Sequence, residues 1–268
     1  MSGPRIEAVT PAIGAEVTGV DLSHPLDAAT VSALHDALMD HLVLFFRDQS
    51  LDVDQLRRFG ESFGAPHIHP LEPDLEGCPG IMSIHTDAQS ETFAGSVWHS
   101  DVSFDAQPPM GSILHLHQTP ECGGDTLFAN MYAAYEALSV PFREFLSKCT
   151  AVHDSQARFR GYFRIEADDY PKSEHPVART HPVTGRKALF VNQGFTSHIV
   201  GLEAGESRAL LDFLYAHIGS PRFQCRFQWR PNSLAFWDNR CAQHMALWDY
   251  YPETRSGYRF TVAGDRPL

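Results

Sequence analysis

Basic charge is what this sequence has least of: 21 lysines and arginines stand against 33 aspartates and glutamates, a formal charge of −12. A nucleic-acid partner needs a basic face to displace phosphate counterions, so that class of function is argued against, and any anionic ligand must be met by local arginine or histidine. Long apolar runs are also missing. None approaches the roughly 20 residues that span a bilayer, and the N-terminus has no basic segment followed by an apolar stretch. The expectation is a cytoplasmic protein with no membrane partner. Cysteine pairing is absent too: Cys78, Cys122, Cys149, Cys225 and Cys241 are odd in number, widely spaced and without a C-x-x-C pair. Reduced thiols fit that pattern better than a disulfide framework. Neither an internal repeat nor a low-complexity linker occurs, and 268 residues with 43% hydrophobic content suffice for one packed core. One domain over residues 1–268 is expected.

What is present reads mostly as strands. Asp27 can cap a helix over 28–40, where Val31, Leu34 and Leu38 recur at helical spacing, and residues 41–47 then read as a buried strand. A second helix over 53–63 opens at Asp52 or Asp54 and stops at Gly64. Residues 132–149 look helical but interrupted at Pro141, and 203–218 form a helix ending at Gly219. Phe223, Cys225, Phe227 and Trp229 alternate with polar residues in a half-buried strand. A hairpin over 179–191 turns at Thr184-Gly185, with further strands at 234–237 and 258–262. The fold class expected is α+β, mostly β: a double-stranded β-helix, or jelly-roll, barrel with flanking helices.

Against that scaffold Val97-Trp98-His99-Ser100-Asp101 stands out when read with Gln243-His244. Two imidazoles and one carboxylate on one face hold non-haem Fe(II) while leaving positions open. If residues 97–102 are a strand, His99 and Asp101 project together, and jelly-roll connectivity can bring His244 to them. Fifteen histidines produce decoys, however, and an H-x-D pair alone is more often a hydrogen-bonded pair than a metal site. His115 and His117 read as core or barrel-lining, and His175, His181, His198 and His217 as surface residues. If 255–262 is extended, Arg255, Gly257 and Arg259 share a face, with the two guanidiniums flanking a gap at Gly257. In an arbitrary strand these would be surface arginines. Arginine nonetheless suits fork-to-fork binding of a carboxylate, such as the distal one of an iron-chelating 2-oxoacid, and Arg255 is the candidate.

Several motifs in one order then identify a resemblance over nearly the whole chain. Ile13-Gly14-Ala15-Glu16-Val17, Phe46-Arg47-Asp48-Gln49, Trp98-His99-Ser100-Asp101, Gly123-Gly124-Asp125-Thr126, Ala134-Tyr135-Glu136-Ala137-Leu138, Thr180-His181-Pro182-Val183-Thr184-Gly185, Trp237-Asp238-Asn239-Arg240 and Gln243-His244 resemble the taurine/2,4-dichlorophenoxyacetate (TauD/TfdA) dioxygenase family, nearest its taurine branch. The resemblance implies Fe(2+) held by His99, Asp101 and His244, 2-oxoglutarate bound by Arg255 and Thr126, O2 as the oxidant, and hydroxylation rather than halogenation because Asp101 is retained. It implies a small organic anion as prime substrate, gripped by His69 and Arg259 and lined by Phe159 and Phe195. Taurine or a related alkylsulfonate, releasing sulfite and an aldehyde, is the first expectation; an aryloxyalkanoate or alkyl sulfate ester is the alternative. Two positions depart from the taurine pattern: Glu72 replaces a tyrosine near the substrate, and Gly95 lies at or near an asparagine that meets the amine. A metal-dependent hydrolase on the same ligands would leave Arg255 and Thr126 unexplained, and a non-catalytic binding barrel would be favoured by loss of a ligand, which does not occur. Residues 154–174, with Arg158, Phe159, Arg160, Tyr162, Phe163 and Arg164, are expected to contribute a lid over the barrel mouth, the alternative being a surface loop. The sequence is compatible with a homo-oligomer.

Overall fold

The computed structural model describes residues 3–93, 95–159 and 169–268. Asp27 opens the first helix, α1 (Ala28–His41), by accepting the Thr30 amide, and the chain leaves it through Leu42 at φ 66°. The second, α2 (Val53–Glu61), begins in a reciprocal capping box between Asp52 and Gln55. Pro141 divides the next helical stretch into α3 (Met131–Glu136) and α4 (Val140–Leu146), because proline is accepted in a first turn but not mid-helix. A single turn, α5 (Gln156–Phe159), and the long α6 (Ala204–Ile218) complete the helices among the described residues.

Strands β1 (Arg5–Ala8), β2 (Ala15–Thr18), β3 (Val43–Phe46), β4 (Ile81–Thr86) and β5 (Gly111–Gln118) precede β6 (Thr126–Asn130), β7 (Thr150–Asp154), β8 (Lys172–Pro176), β9 (Ala178–Thr180) and β10 (Lys187–Leu189). β11 (Thr196–Ile199), β12 (Gln224–Phe227), β13 (Ser233–Asp238), β14 (Ala242–Ala246) and β15 (Arg255–Val262) follow. Seven of them make a large sheet in the order β1-β2-β3-β13-β5-β15-β4, faced by two three-stranded sheets, β12-β6-β14 and β11-β7-β8, and by the hairpin β10-β9. This is the expected mostly-β jelly roll with flanking helices.

Strict alternation sorts the large sheet's side chains between two apolar clusters. Val43, Phe45, Leu114, Leu116, Ala235 and Trp237 point into the barrel, whereas Leu44, Phe46, Ile113, Leu234 and Phe236 lie beneath α1 and α2 with Leu34, Leu38, Leu56 and Phe59. Both faces of the sheet are therefore covered, which is why β3 reads as an unbroken apolar run.

Several local expectations change. Residues 97–102 are not a strand: His99 makes one isolated bridge to His244, and the chain then turns, with Val102 at φ 50°. The strand read over 223–229 is shorter, because Phe223 belongs to a 3-10 turn. Gly257 is no open gap; at a bulge in the β15–β5 register, a Cβ there would lie 2.0 Å from the His115 carbonyl oxygen. His175 and His181 are buried, not superficial, since each ring hydrogen-bonds into the core; His117 is exposed against Tyr258. Arg160, Tyr162, Phe163 and Arg164 of the expected lid lie outside the described residues.

Candidate active site

The bridge between His99 and His244 is the element that assembles the site. Each amide donates to the other's carbonyl, at 3.1 and 2.9 Å, and the two imidazole rings consequently lie 4.1 Å apart. The turn after His99 swings Asp101 back toward them. Its Oδ1 is 3.8 Å from His99 Nε2 and 4.0 Å from His244 Nε2. Backbone geometry thus achieves by a bridge and a turn what alternation along a strand was expected to do.

The donor set fits a divalent metal. His99 Nδ1 donates to the Val97 carbonyl at 2.8 Å, which leaves a lone pair on Nε2. Burial pushes both histidines below the usual imidazole range, so both are neutral ligands. Burial alone would raise Asp101, but the Arg259 guanidinium, helped by the Ser112 hydroxyl, outweighs it and holds the carboxyl well below its ordinary value. A second convergent group, His181, Asp238 and Cys241, fails the same test. His181 Nδ1 accepts from the Val183 and Thr184 amides, its Nε2 is 3.0 Å from Asp238, and Arg240 occupies both oxygens of that carboxylate. Burial and Asp238 also keep the Cys241 thiol protonated. Neither a thiolate, a free imidazole nitrogen nor an unoccupied carboxylate oxygen is left there for a metal.

Beside the three ligands opens a cavity of about 670 Å³. His99, His244, Thr126, Arg255, Arg259 and Phe159 line it, while His69, Asp101 and Phe195 face a small adjoining void that shares His99, Phe159 and Arg259. All nine expected site residues therefore converge. Arg255 is the most informative of them. It is 3% exposed, its Nε has no partner, and no carboxylate pairs with it among the described residues. Burial brings its guanidinium down to about 10, against a pull from Tyr250, and the guanidinium lies over the Trp229 ring, 5.5 Å away. Thr126 lies on the same wall. Its oxygen accepts from the Trp229 indole at 2.9 Å, so its own proton is left to donate.

At the other end, the Leu71 and Glu72 amides donate to His69 Nδ1 at 3.1 and 2.8 Å, which places the ring proton on Nε2. Burial, and then Arg259, lowers its pKa to about 3, so the ring is a neutral donor. Arg259 Nη1 donates to Asp101 Oδ1 at 2.9 Å. Phe159 and Phe195 pack with Phe104 behind this end. Glu72 faces both voids, with its carboxylate 3.9 Å from His69 Nε2, and burial raises its pKa against the pull of Arg259. Gly95, at φ 89°, leaves space beside the His99 ring, where a Cβ would meet Cε1 at 3.5 Å. Sequence reasoning missed three contributors: Trp229, Ser112, which donates to Asp101 Oδ2, and Gly194, where a Cβ would lie 2.9 Å from the Cβ of His99. Trp229 was visible only as an alternating apolar residue, and the other two carried no signal.

With this geometry established, the comparisons are specific. The family model for the taurine catabolism dioxygenase TauD, TfdA family matches residues 5–261. The chain is 36% identical over 276 residues to an alpha-ketoglutarate-dependent sulfate ester dioxygenase of Pseudomonas putida, covering 98% of this chain and 90% of that protein. It is 33% identical over 280 residues to an alpha-ketoglutarate-dependent sulfonate dioxygenase of Saccharomyces cerevisiae, covering 98% and 68%. The crystal structure of a taurine dioxygenase from Burkholderia xenovorans superposes with a TM-score of 0.88 at 37% identity, covering 100% of this chain and 91% of that one.

Proposed function

Because the chain belongs to the TauD/TfdA family and is an Fe(II)- and 2-oxoglutarate-dependent dioxygenase, we propose that it hydroxylates a small sulfonate or sulfate ester in a site built from the nine residues above. His99, Asp101 and His244 hold the iron. Bound iron supplies the activation of O2 that couples decarboxylation of 2-oxoglutarate, to succinate and CO2, with insertion of one oxygen atom into a substrate C–H bond. Arg255 and Thr126 receive the distal carboxylate of 2-oxoglutarate, and the observation that carries this assignment is the buried, unpaired Arg255 guanidinium on the cavity wall. Such a cation is completed by an anionic ligand rather than by the protein.

His69 and Arg259 supply one neutral and one charged donor for the substrate's anionic headgroup, 2-oxoglutarate being held at the opposite end. Phe159 and Phe195 exclude water there. Hydroxylation at the carbon next to a sulfonate gives a product that splits into an aldehyde and sulfite; at the carbon bearing a sulfate ester it gives an aldehyde and sulfate. A sulfur oxyanion is favoured over an aryloxyalkanoate by the sulfate ester and sulfonate dioxygenase activities of the relatives in Pseudomonas putida and Saccharomyces cerevisiae. We assign the chain a single domain and, from five cysteines that are all free, a reducing, cytoplasmic setting. Aligned sulfonates, sulfate ester and aryloxy acids, assayed for succinate with Fe(II), 2-oxoglutarate and O2, test the reading. Succinate matched by sulfite or sulfate is expected; coupling only to aryloxy acids would overturn the headgroup assignment.

A further inference from the structure

A buried relay runs to the back of Asp101, away from the cavity, and its polarity follows from one residue. Trp237 Nε1 can only donate, and it lies 2.9 Å from the Asn239 side chain, so the atom facing it is Oδ1. The Asp101 amide, 3.3 Å from the same oxygen, agrees with that orientation. Asn239 Nδ2 must then face Ser112, and it donates to Oγ at 2.9 Å. Ser112 has a single proton left, which goes to Asp101 Oδ2 at 2.7 Å. The Asn239 backbone is itself fixed, its amide donating to Met110 O at 2.8 Å and its carbonyl accepting from Ser100 Oγ at 2.7 Å. Ser112 and Asn239 are 0% and 1% exposed, so water does not compete for these groups.

We propose that Ser112 and Asn239 are positioning residues that lock the Asp101 carboxylate with Oδ2 turned away and Oδ1 alone presented toward His99 and His244. The inference rests on the metal-centre reading given above. With Oδ2 held, the carboxylate offers one ligand atom instead of two, and the positions that 2-oxoglutarate and O2 require stay open. Hydrogen-bonded partners of this kind set ligand orientation, and their loss costs on the order of 10- to 100-fold in metal affinity. Neither residue lines the cavity or the adjoining void, and both act through Asp101.

The test is anaerobic titration of the full-length protein with Fe(II) alone, followed by calorimetry, beside thermal melting of the metal-free forms. Ser112→Ala should bind Fe(II) on the order of 10- to 100-fold more weakly, and its metal-free form should melt somewhat lower, because Asn239 Nδ2 and Asp101 Oδ2 each lose a buried partner. Ser112→Thr, which keeps the hydroxyl, should bind within a few-fold of the parent. Asn239→Asp should also weaken binding although Ser112 is intact, because a carboxylate at 239 accepts the Ser112 proton and takes it from Asp101. Parent-like affinity in Ser112→Ala, or equal losses in Ser112→Ala and Ser112→Thr, would overturn the proposal. Should Ser112→Ala fail to fold, parent-like affinity in Asn239→Asp would do the same. A parent protein that binds Fe(II) no better than His99→Ala would instead overturn the metal centre itself, so the two failures are separable.

Discussion

Arg255 and Arg259 are four residues apart on one strand, yet their surroundings ask for different ligands. Arg255 is buried without a carboxylate beside it among the described residues, whereas Arg259 already rests on Asp101. On the proposed roles, Arg255→Gln should raise the 2-oxoglutarate concentration needed for half-maximal rate by roughly 100-fold, the scale expected when a buried charged hydrogen bond is lost, while changing the prime-substrate requirement little. Arg259→Ala should show the reverse. Initial rates with each substrate varied in turn check this, and equal effects of both variants on both ligands would remove the division of roles. At this scale His99, Asp101 and His244 were legible as a chemical set, because few other arrangements call for two imidazoles and one carboxylate. Ser112 and Asn239 were not. A serine in a strand and an asparagine in a turn reveal their partners only when the strands are registered.

The capped helices and the alternating strands were legible because a cap, a proline or a two-residue period is local chemistry. The isolated bridge at His99 was read as a strand, since a single pair of backbone bonds leaves no periodic trace in the sequence. Gly257 was read as a gap for the same reason: the close approach of the His115 carbonyl is a property of the β15–β5 pairing. Gly257→Ala should therefore push β15 away from β5 and weaken binding of both 2-oxoglutarate and the prime substrate, together with a lower melting temperature. Unaltered affinities in a folded Gly257→Ala protein would show that the register tolerates the Cβ. The turn after β13 gives an independent check. Arg240 and His181 hold buried Asp238 well below the ordinary carboxylate range despite the opposing effect of burial. A depressed folded pKa contributes stability that is present above the unfolded value of about 4 and is lost as pH falls toward the folded one. Asp238→Asn, which leaves Arg240 unpaired, should cost about 3–5 kcal/mol at neutral pH. Melting followed from pH 7 to pH 3 should show the gap between parent and variant narrowing below about pH 4; a gap independent of pH would remove the carboxylate's charge from the explanation.

For the whole molecule, the mostly-β jelly roll was legible from short strands of regular spacing, because one sheet buried on both faces needs apolar runs of the kind seen in β3 and β13. Which strands neighbour which was not, since pairing of sequence-distant strands is decided by packing rather than by local pattern. If the chain is one domain, calorimetry should give a single unfolding transition, and each ligand present at about 100 times its Kd should add about 2.7 kcal/mol; two resolved transitions would contradict one domain. The iron centre is the claim on which every other role depends. Its most direct test is Fe(II) binding and 2-oxoglutarate-dependent succinate formation by the parent and by folded His99→Ala, Asp101→Ala and His244→Ala proteins. The expected result is one Fe(II) per parent chain, with binding and succinate lost in His99→Ala and His244→Ala and succinate lost in Asp101→Ala. Succinate formation at the parent rate in any of the three would contradict it.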